Sequence, residues 1–161
     1  MEEDQLEGTN QTEGLKTEGL RLDHVAVAVR DLELAVAQYH ALGLVCTGRE
    51  LVPSEGAEVA FFDLGGTRLE LVTPRTPEAP IARSLDRRGE GLHHIALRVT
   101  DLDSALTRVK AAGLKIVHDA PTPGAGETRV AFVHPKGLSG VLVELVELAD
   151  GVRADGTPVV P

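Results

Sequence analysis

Apolar and polar positions along the chain fall into one pattern, and that pattern occurs twice. Residues 22–29 alternate and are rich in β-branched side chains, as in a strand with one buried face. Asp31 then suits a helix N-cap, because its carboxylate can accept a backbone N–H from the first turn. Leu32, Ala35, Val36, Tyr39 and Leu42 recur at helical spacing, and Gly43 closes that helix. A second strand over 44–52, a PSEG turn at 53–56, a third strand over 58–64, a Gly65-Gly66 hairpin and a fourth strand over 67–73 follow. Prolines in 73–80 forbid regular structure as far as a short helix over 81–88. The order then returns: strand 91–99, helix 101–112 between Asp101 and Gly113, strand 114–118, loop 120–128, strand 129–134, turn 135–140 and strand 141–148.

The recurrence is a repeat in residues as well as in pattern. Adding 70 to each position of 22–44 lays it on 92–114 without a gap, with Leu22/Leu92, His24/His94, Ala26/Ala96, Asp31/Asp101, Leu32/Leu102 and Gly43/Gly113 among the identical pairs. Phe62 and Phe132 keep that offset, while the LELV of 69–72 meets the VELV of 143–146 at an offset of 74, so the intervening turn is four residues longer. Tandem βαβββ modules bury their apolar faces by curling into a curved eight-stranded sheet around a shared cleft, with helices outside. The expected fold is therefore α+β, a single domain over 21–148 built from modules 22–73 and 91–148. Residues 1–20 form an expected disordered acidic tail, with six acids against Lys16, and 149–161 an expected flexible one.

Composition narrows the function. A net charge of −9 and 2% aromatic residues argue against nucleic-acid partners, which need basic surfaces or stacking platforms. No apolar run is long enough to span a bilayer, and no basic stretch leads an apolar one at the N-terminus. The lone Cys46 excludes an internal disulfide and fits a reducing compartment, so a soluble cytoplasmic protein is expected.

Each module places one His on its first strand and one Glu on its last: His24 with Glu70, and His94 with Glu144. On an alternating strand, His24 shares a face with Ala26 and Ala28, opposite the bulkier Val25, Val27 and Val29. The imidazoles are thus expected to look into the cup, with helices covering the bulky face. A carboxylate inside an apolar strand is costly unless paired or bound to a metal. Two imidazoles and two carboxylates suit a divalent ion such as Co²⁺, Zn²⁺, Ni²⁺, Mn²⁺ or Fe²⁺. By the same alternation His93 is expected on the opposite face, while His40 and His118 read as structural.

These residues, with the stretches DHVAVAV (23–29), VAFFDLGGTRLELVTP (59–74), APIARSL and GEGLHHIALRV (79–99) and AFVHPKGLSGVLVELVE (131–147), resemble the vicinal oxygen chelate (glyoxalase/dioxygenase) superfamily. Within it they are most similar to the methylmalonyl-CoA epimerases, across about 22–147. The resemblance implies a metal-dependent isomerase that interconverts the 2R and 2S forms of methylmalonyl-CoA by removing the α-proton. It implies His24, Glu70, His94 and Glu144 as metal ligands, Glu144 also as a catalytic acid or base, and cobalt as the ion, with zinc, nickel and manganese as alternatives. An acyl-CoA partner and a homodimer are implied too. The matching place for a second acid or base lies near Val59 and is apolar, leaving Glu55 or water for that role. Arg83, Arg87, Arg88 and Lys136 are candidates for the nucleotide phosphates. The alternatives are a glyoxalase I-like lyase or isomerase, another metal enzyme of the superfamily such as a small dioxygenase, or a small-molecule binding protein without the metal set.

Overall fold

A computed structural model describes residues 20–149, so the two expected tails lie outside the described residues apart from Leu20 and Ala149. Strand β1 (Arg21–Ala28) leads through helix α1 (Leu32–Ala41) to β2 (Cys46–Val52), β3 (Ala57–Asp63) and β4 (Arg68–Pro74). After helix α2 (Pro80–Arg88) come β5 (Gly91–Arg98), α3 (Leu102–Ala111), β6 (Thr122–Pro123), β7 (Arg129–Val133) and β8 (Val143–Glu147). The strands form one mixed sheet in the order β2-β3-β4-β1-β5-β8-β7-β6. At its centre β1 runs antiparallel to β5, and each module is parallel only where its first strand meets its last, β1 with β4 and β5 with β8.

Helix ends follow the expected local chemistry. The Asp31 carboxylate accepts from Leu34 N at 3.0 Å and the Asp101 carboxylate from Ser104 N at 2.9 Å, each satisfying a donor that the helix itself leaves unpaired. Gly43 and Gly113 end these helices at φ of +91° and +74°, where a Cβ would strain the backbone.

Strand parity separates two layers. On the outer face Ala60, Phe62 and Leu71 pack with Val29, Leu32 and Ala35 under α1, and Ala131, Val133 and Leu145 pack with Leu102, Ala105 and Leu106 under α3. On the concave face Ala26, Ala28, Val52, Val59 and Val72 meet Ile81 and Leu85 of α2, while Ala96, Val130 and Val146 cluster in the other module. Alanines beside the central histidines leave room for the cleft, as the alternation of β1 and β5 implies.

Helix α2 thus packs on the concave face, against the expectation that the helices lie outside, and two features of the sheet also depart from the expected pattern. The strand expected over 114–118 is reduced to one bridge between Ile116 and Val133, supported by the Val117 N to Phe132 O and His134 N to Lys115 O bonds at 2.8 and 2.7 Å. Farther along β7 the short β6 takes over, pairing Thr122 with Val130. Pro121 and Pro123 lack the N–H that a continuous ladder requires, so the edge is split. The second departure is at the centre. Between β1 and β5 the register slips twice: Leu22 pairs with Leu97 and His24 with Ala96, then Ala26 pairs with His94 and Val27 with Leu92. The skipped residues are Asp23 and His93, repeat mates 70 positions apart, and each makes a β-bulge directly before a central histidine.

Candidate metal centre and active site

The bulges overturn the expectation that His93 points away from the site. A regular pleat would alternate Asp23 with His24 and His93 with His94 across the sheet, but a bulge re-aims the side chain at the extra residue. Asp23 is fully buried and its Oδ1 lies 2.9 Å from His24 Nδ1. His93 Nδ1 lies 2.8 Å from His94 Nδ1. Each central imidazole is therefore held on its Nδ1 side by the residue just before it, which leaves its Nε2 directed into the cleft.

The two holders differ in charge. Asp23 is an anion clamped by Arg68 Nη2 at 2.8 Å and by Arg98 Nε at 2.8 Å. Burial alone would raise its pKa; the His24 hydrogen bond, the Arg68 charge and the Arg98 bond overcome that and hold it well below the usual carboxylate range. His93 is pushed down to about 4, first by burial and then by the charges of His94 and Arg88, so it is a neutral acceptor for the His94 Nδ1–H. A partner on Nδ1 fixes the tautomer that keeps Nε2 as a free donor.

Those nitrogens meet Glu144. His24 Nε2 and His94 Nε2 are 3.1 Å apart, and Glu144 Oε2 lies 3.0 Å from the first and 3.3 Å from the second. All three residues are buried. Glu144 Oε2 nonetheless has no hydrogen-bond partner: the imidazoles are near it but not aimed as hydrogen-bond donors. Two ligand atoms at right angles, each about 2.1 Å from a divalent ion, stand about 3.0 Å apart. A triangle with sides of 3.0, 3.1 and 3.3 Å has that spacing. Two nitrogens and an orphaned carboxylate oxygen are also the donor types such ions take, so the residues fit a divalent metal.

Glu70, the fourth expected ligand, stands beside this triangle. Its Oε1 lies 3.4 Å from His24 on the Nδ1 side and 3.3 Å from Arg68 Nη2, yet it too lacks a hydrogen-bond partner. Burial raises the Glu70 pKa against the opposing charges of His24 and Arg68. For Glu144 burial acts the same way but loses to the influence of the His24 and His94 imidazoles beside it, so that carboxyl is held down. In return Asp23, Glu144 and Glu70 push His24 up against its own desolvation.

His24, Glu70, His94 and Glu144 line one cleft, together with Val52, Glu55, Val59, Arg68, Val72, Ala125, Thr128, Val130 and Val146. Arg83, Arg87, Arg88 and Lys136 are not part of this lining, and Arg83 instead donates to Glu78 O at 2.9 Å. Sequence reasoning missed Asp23 and Arg68. The repeat carried a signal for the first, since Asp23 and His93 occupy matched positions before matched histidines. With two imidazoles and an anion facing an apolar-walled cleft, the arrangement is suited to polarising a substrate oxygen and accepting a nearby proton.

Comparison with known proteins bears on which reaction this is. Residues 23–132 match the family described as the Glyoxalase/Bleomycin resistance protein/Dioxygenase superfamily. The ethylmalonyl-CoA/methylmalonyl-CoA epimerase of Cereibacter sphaeroides is 40% identical, over 80% of this chain and 98% of that protein. The crystal structure of methylmalonyl-CoA epimerase from Mycobacterium tuberculosis superposes with a TM-score of 0.75 at 37% identity, covering 80% of this chain and 87% of that one. A variant of the Streptomyces coelicolor methylmalonyl-CoA epimerase in complex with 2-nitronate-propionyl-CoA gives 0.77 at 31% identity, covering 80% and 97%.

Proposed function

Because the chain belongs to the glyoxalase/bleomycin resistance protein/dioxygenase superfamily, we propose that it is a metal-dependent epimerase interconverting (2R)- and (2S)-methylmalonyl-CoA. The observation that carries this reading is the buried triangle of His24 Nε2, His94 Nε2 and Glu144 Oε2 at the cleft. Fold alone would not distinguish the reactions of such a superfamily, whereas a site that combines metal donors with a proton acceptor does narrow them.

His24, His94 and Glu144 would hold the ion, with Glu70 as a fourth donor, and Asp23 and His93 would orient the imidazoles. When bound, a divalent ion supplies Lewis-acid polarisation of the thioester and carboxylate oxygens, which lowers the cost of the negative charge left when C2 loses its proton. Glu144 is the general base: its carboxylate takes the C2 proton, and the electron pair moves into the thioester carbonyl to form an enolate. Val52, Val59, Val72, Val130 and Val146 wall the cleft and limit water around that charge. Returning a proton to the opposite face of C2 inverts the centre.

Cobalt is the ion of this proposal, with zinc, nickel and manganese as the ones to compare. The site is assembled within one chain, so the homodimer that belongs to the same reading is not needed to complete it. Cytoplasmic location rests on the lone Cys46. Among the described residues no helix is long and apolar enough to cross a membrane. Incubation of the purified protein with (2S)-methylmalonyl-CoA, stripped with chelator and then reloaded with each metal in turn, tests the proposal. Formation of the 2R epimer that disappears with chelator and returns with Co²⁺ is expected. Turnover of the methylglyoxal–glutathione hemithioacetal with none of the CoA ester would contradict it and identify a lyase.

A further inference from the structure

Inversion at C2 needs a proton taken from one face and another delivered to the other, so one carboxylate is not enough. Resting on the epimerase reading above, the question becomes which second group the cleft offers. Its acidic lining residues are Glu55, Glu70 and Glu144. Glu70 faces both Arg68 and His24, and Glu144 belongs to the metal triangle. Val59 is buried in the cleft wall and carries no proton. We propose that Glu55, on the turn between β2 and β3, is the second proton-transfer residue, working across C2 from Glu144.

The fold brings these two carboxyls to one cavity from opposite flanks. Glu144 sits on β8, beyond β5, whereas the Glu55 turn joins β2 and β3, beyond β4 on the other side of the central β1–β5 pair. The sheet must curl for both to line the same cleft. The turn itself is fixed at both ends and across the opening. Glu55 N donates to Val52 O at 3.1 Å, Gly56 N donates to Pro53 O at 3.2 Å, and Gly56 adopts a φ of +61°. Ser54 Oγ donates to Pro123 O at 2.6 Å, and Gly126 N donates to the Glu50 carboxylate at 2.9 Å. These contacts clasp the β2 edge to the loop before β7 and seat Glu55 on a braced turn. Among the described residues its carboxyl has no hydrogen bond or ion pair, unlike the other carboxylates of the site. Burial raises its carboxyl above the usual carboxylate range, in the direction that lets an acid both hold and release a proton near neutral pH.

The proton balance closes. In one direction Glu144 accepts the C2 proton, the pair enters the thioester carbonyl, and the Glu55 O–H gives its proton to the opposite face of C2 as the carbonyl reforms. Glu144 ends protonated and Glu55 ionised, the state from which the other epimer reacts in reverse, and solvent exchange also resets both.

The test is the E55Q variant, assayed as the metal-loaded full chain with each epimer separately in D₂O, with E55D alongside. Interconversion is expected to fall at least ~10²-fold in E55Q. One epimer should still exchange its C2 hydrogen through Glu144 while the other exchanges negligibly; metal content stays at the wild-type level, and E55D recovers part of the rate. Interconversion within about threefold of wild type, or equal loss of exchange from both epimers in a folded, metal-loaded protein, would overturn the assignment. Failure of the wild-type protein to exchange either epimer would instead overturn the epimerase reading, and this role with it.

Discussion

Glu144→Gln is expected to lower kcat for epimerisation by roughly 10²–10⁴-fold, the range lost when a positioned general base is removed. The substitution is nearly isosteric, and residue 144 is buried among apolar neighbours on β8, so the sheet should be little disturbed. What disappears is an anion whose Oε2 stands 3.0 Å from His24 Nε2 and 3.3 Å from His94 Nε2. The amide neither accepts the C2 proton nor offers an anionic donor beside the imidazoles. Activity and metal content should therefore fall together, while the circular dichroism spectrum is preserved. A folded Glu144→Gln protein that turned over at the wild-type rate would remove Glu144 from the chemistry.

Asp23→Asn should act on stability and on the site at once. Asp23 is fully buried and pairs with Arg68, Arg98 and His24. Removing one member of a buried charge cluster typically costs about 3–5 kcal/mol, because the remaining charges lose their compensation. The side chains of Arg68 and Arg98 are 31% and 15% exposed, so solvent recovers part of that loss and the low end, about 3 kcal/mol, is expected. Urea unfolding with an unchanged m-value measures it. Loss of the anion on His24 Nδ1 should also weaken metal binding by roughly 10–100-fold, as for other residues that orient a metal-binding histidine. A change under about 0.5 kcal/mol, the level of an ordinary surface substitution, would mean that the cluster is not a structural anchor.

Asp23 also marks where sequence reading gave out. The duplication, the order of strands and helices, the Asp31 and Asp101 caps and the positions of His24, Glu70, His94 and Glu144 are legible because each depends on local spacing or on the 70-residue offset. Assigning Asp23 and His93 to a face relies on strict alternation, and alternation holds only for a regular ladder. The bulges arise from how β1 pairs with a strand 70 residues away, which no window of sequence contains. The edge before β7 fails for a different reason. Apolar residues over 114–118 read as a strand, but Pro121 and Pro123 deny the ladder its donors and the pairing splits between Ile116 and Thr122. Glu55 lies on a turn, where neither the helical nor the strand period says which way a side chain points. Only the curl of the sheet brings it to the cleft.

The central claim is removal of the C2 proton of methylmalonyl-CoA at the His24–His94–Glu144 site. Proton NMR of (2R)- and (2S)-methylmalonyl-CoA in D₂O with the Co²⁺-loaded protein reports on it directly. Loss of the C2–H signal from both epimers is expected, with collapse of the methyl doublet as deuterium enters C2, and no loss with His94→Ala above the rate without protein. A C2–H signal that persists with the wild-type protein at the rate of the protein-free control would contradict it.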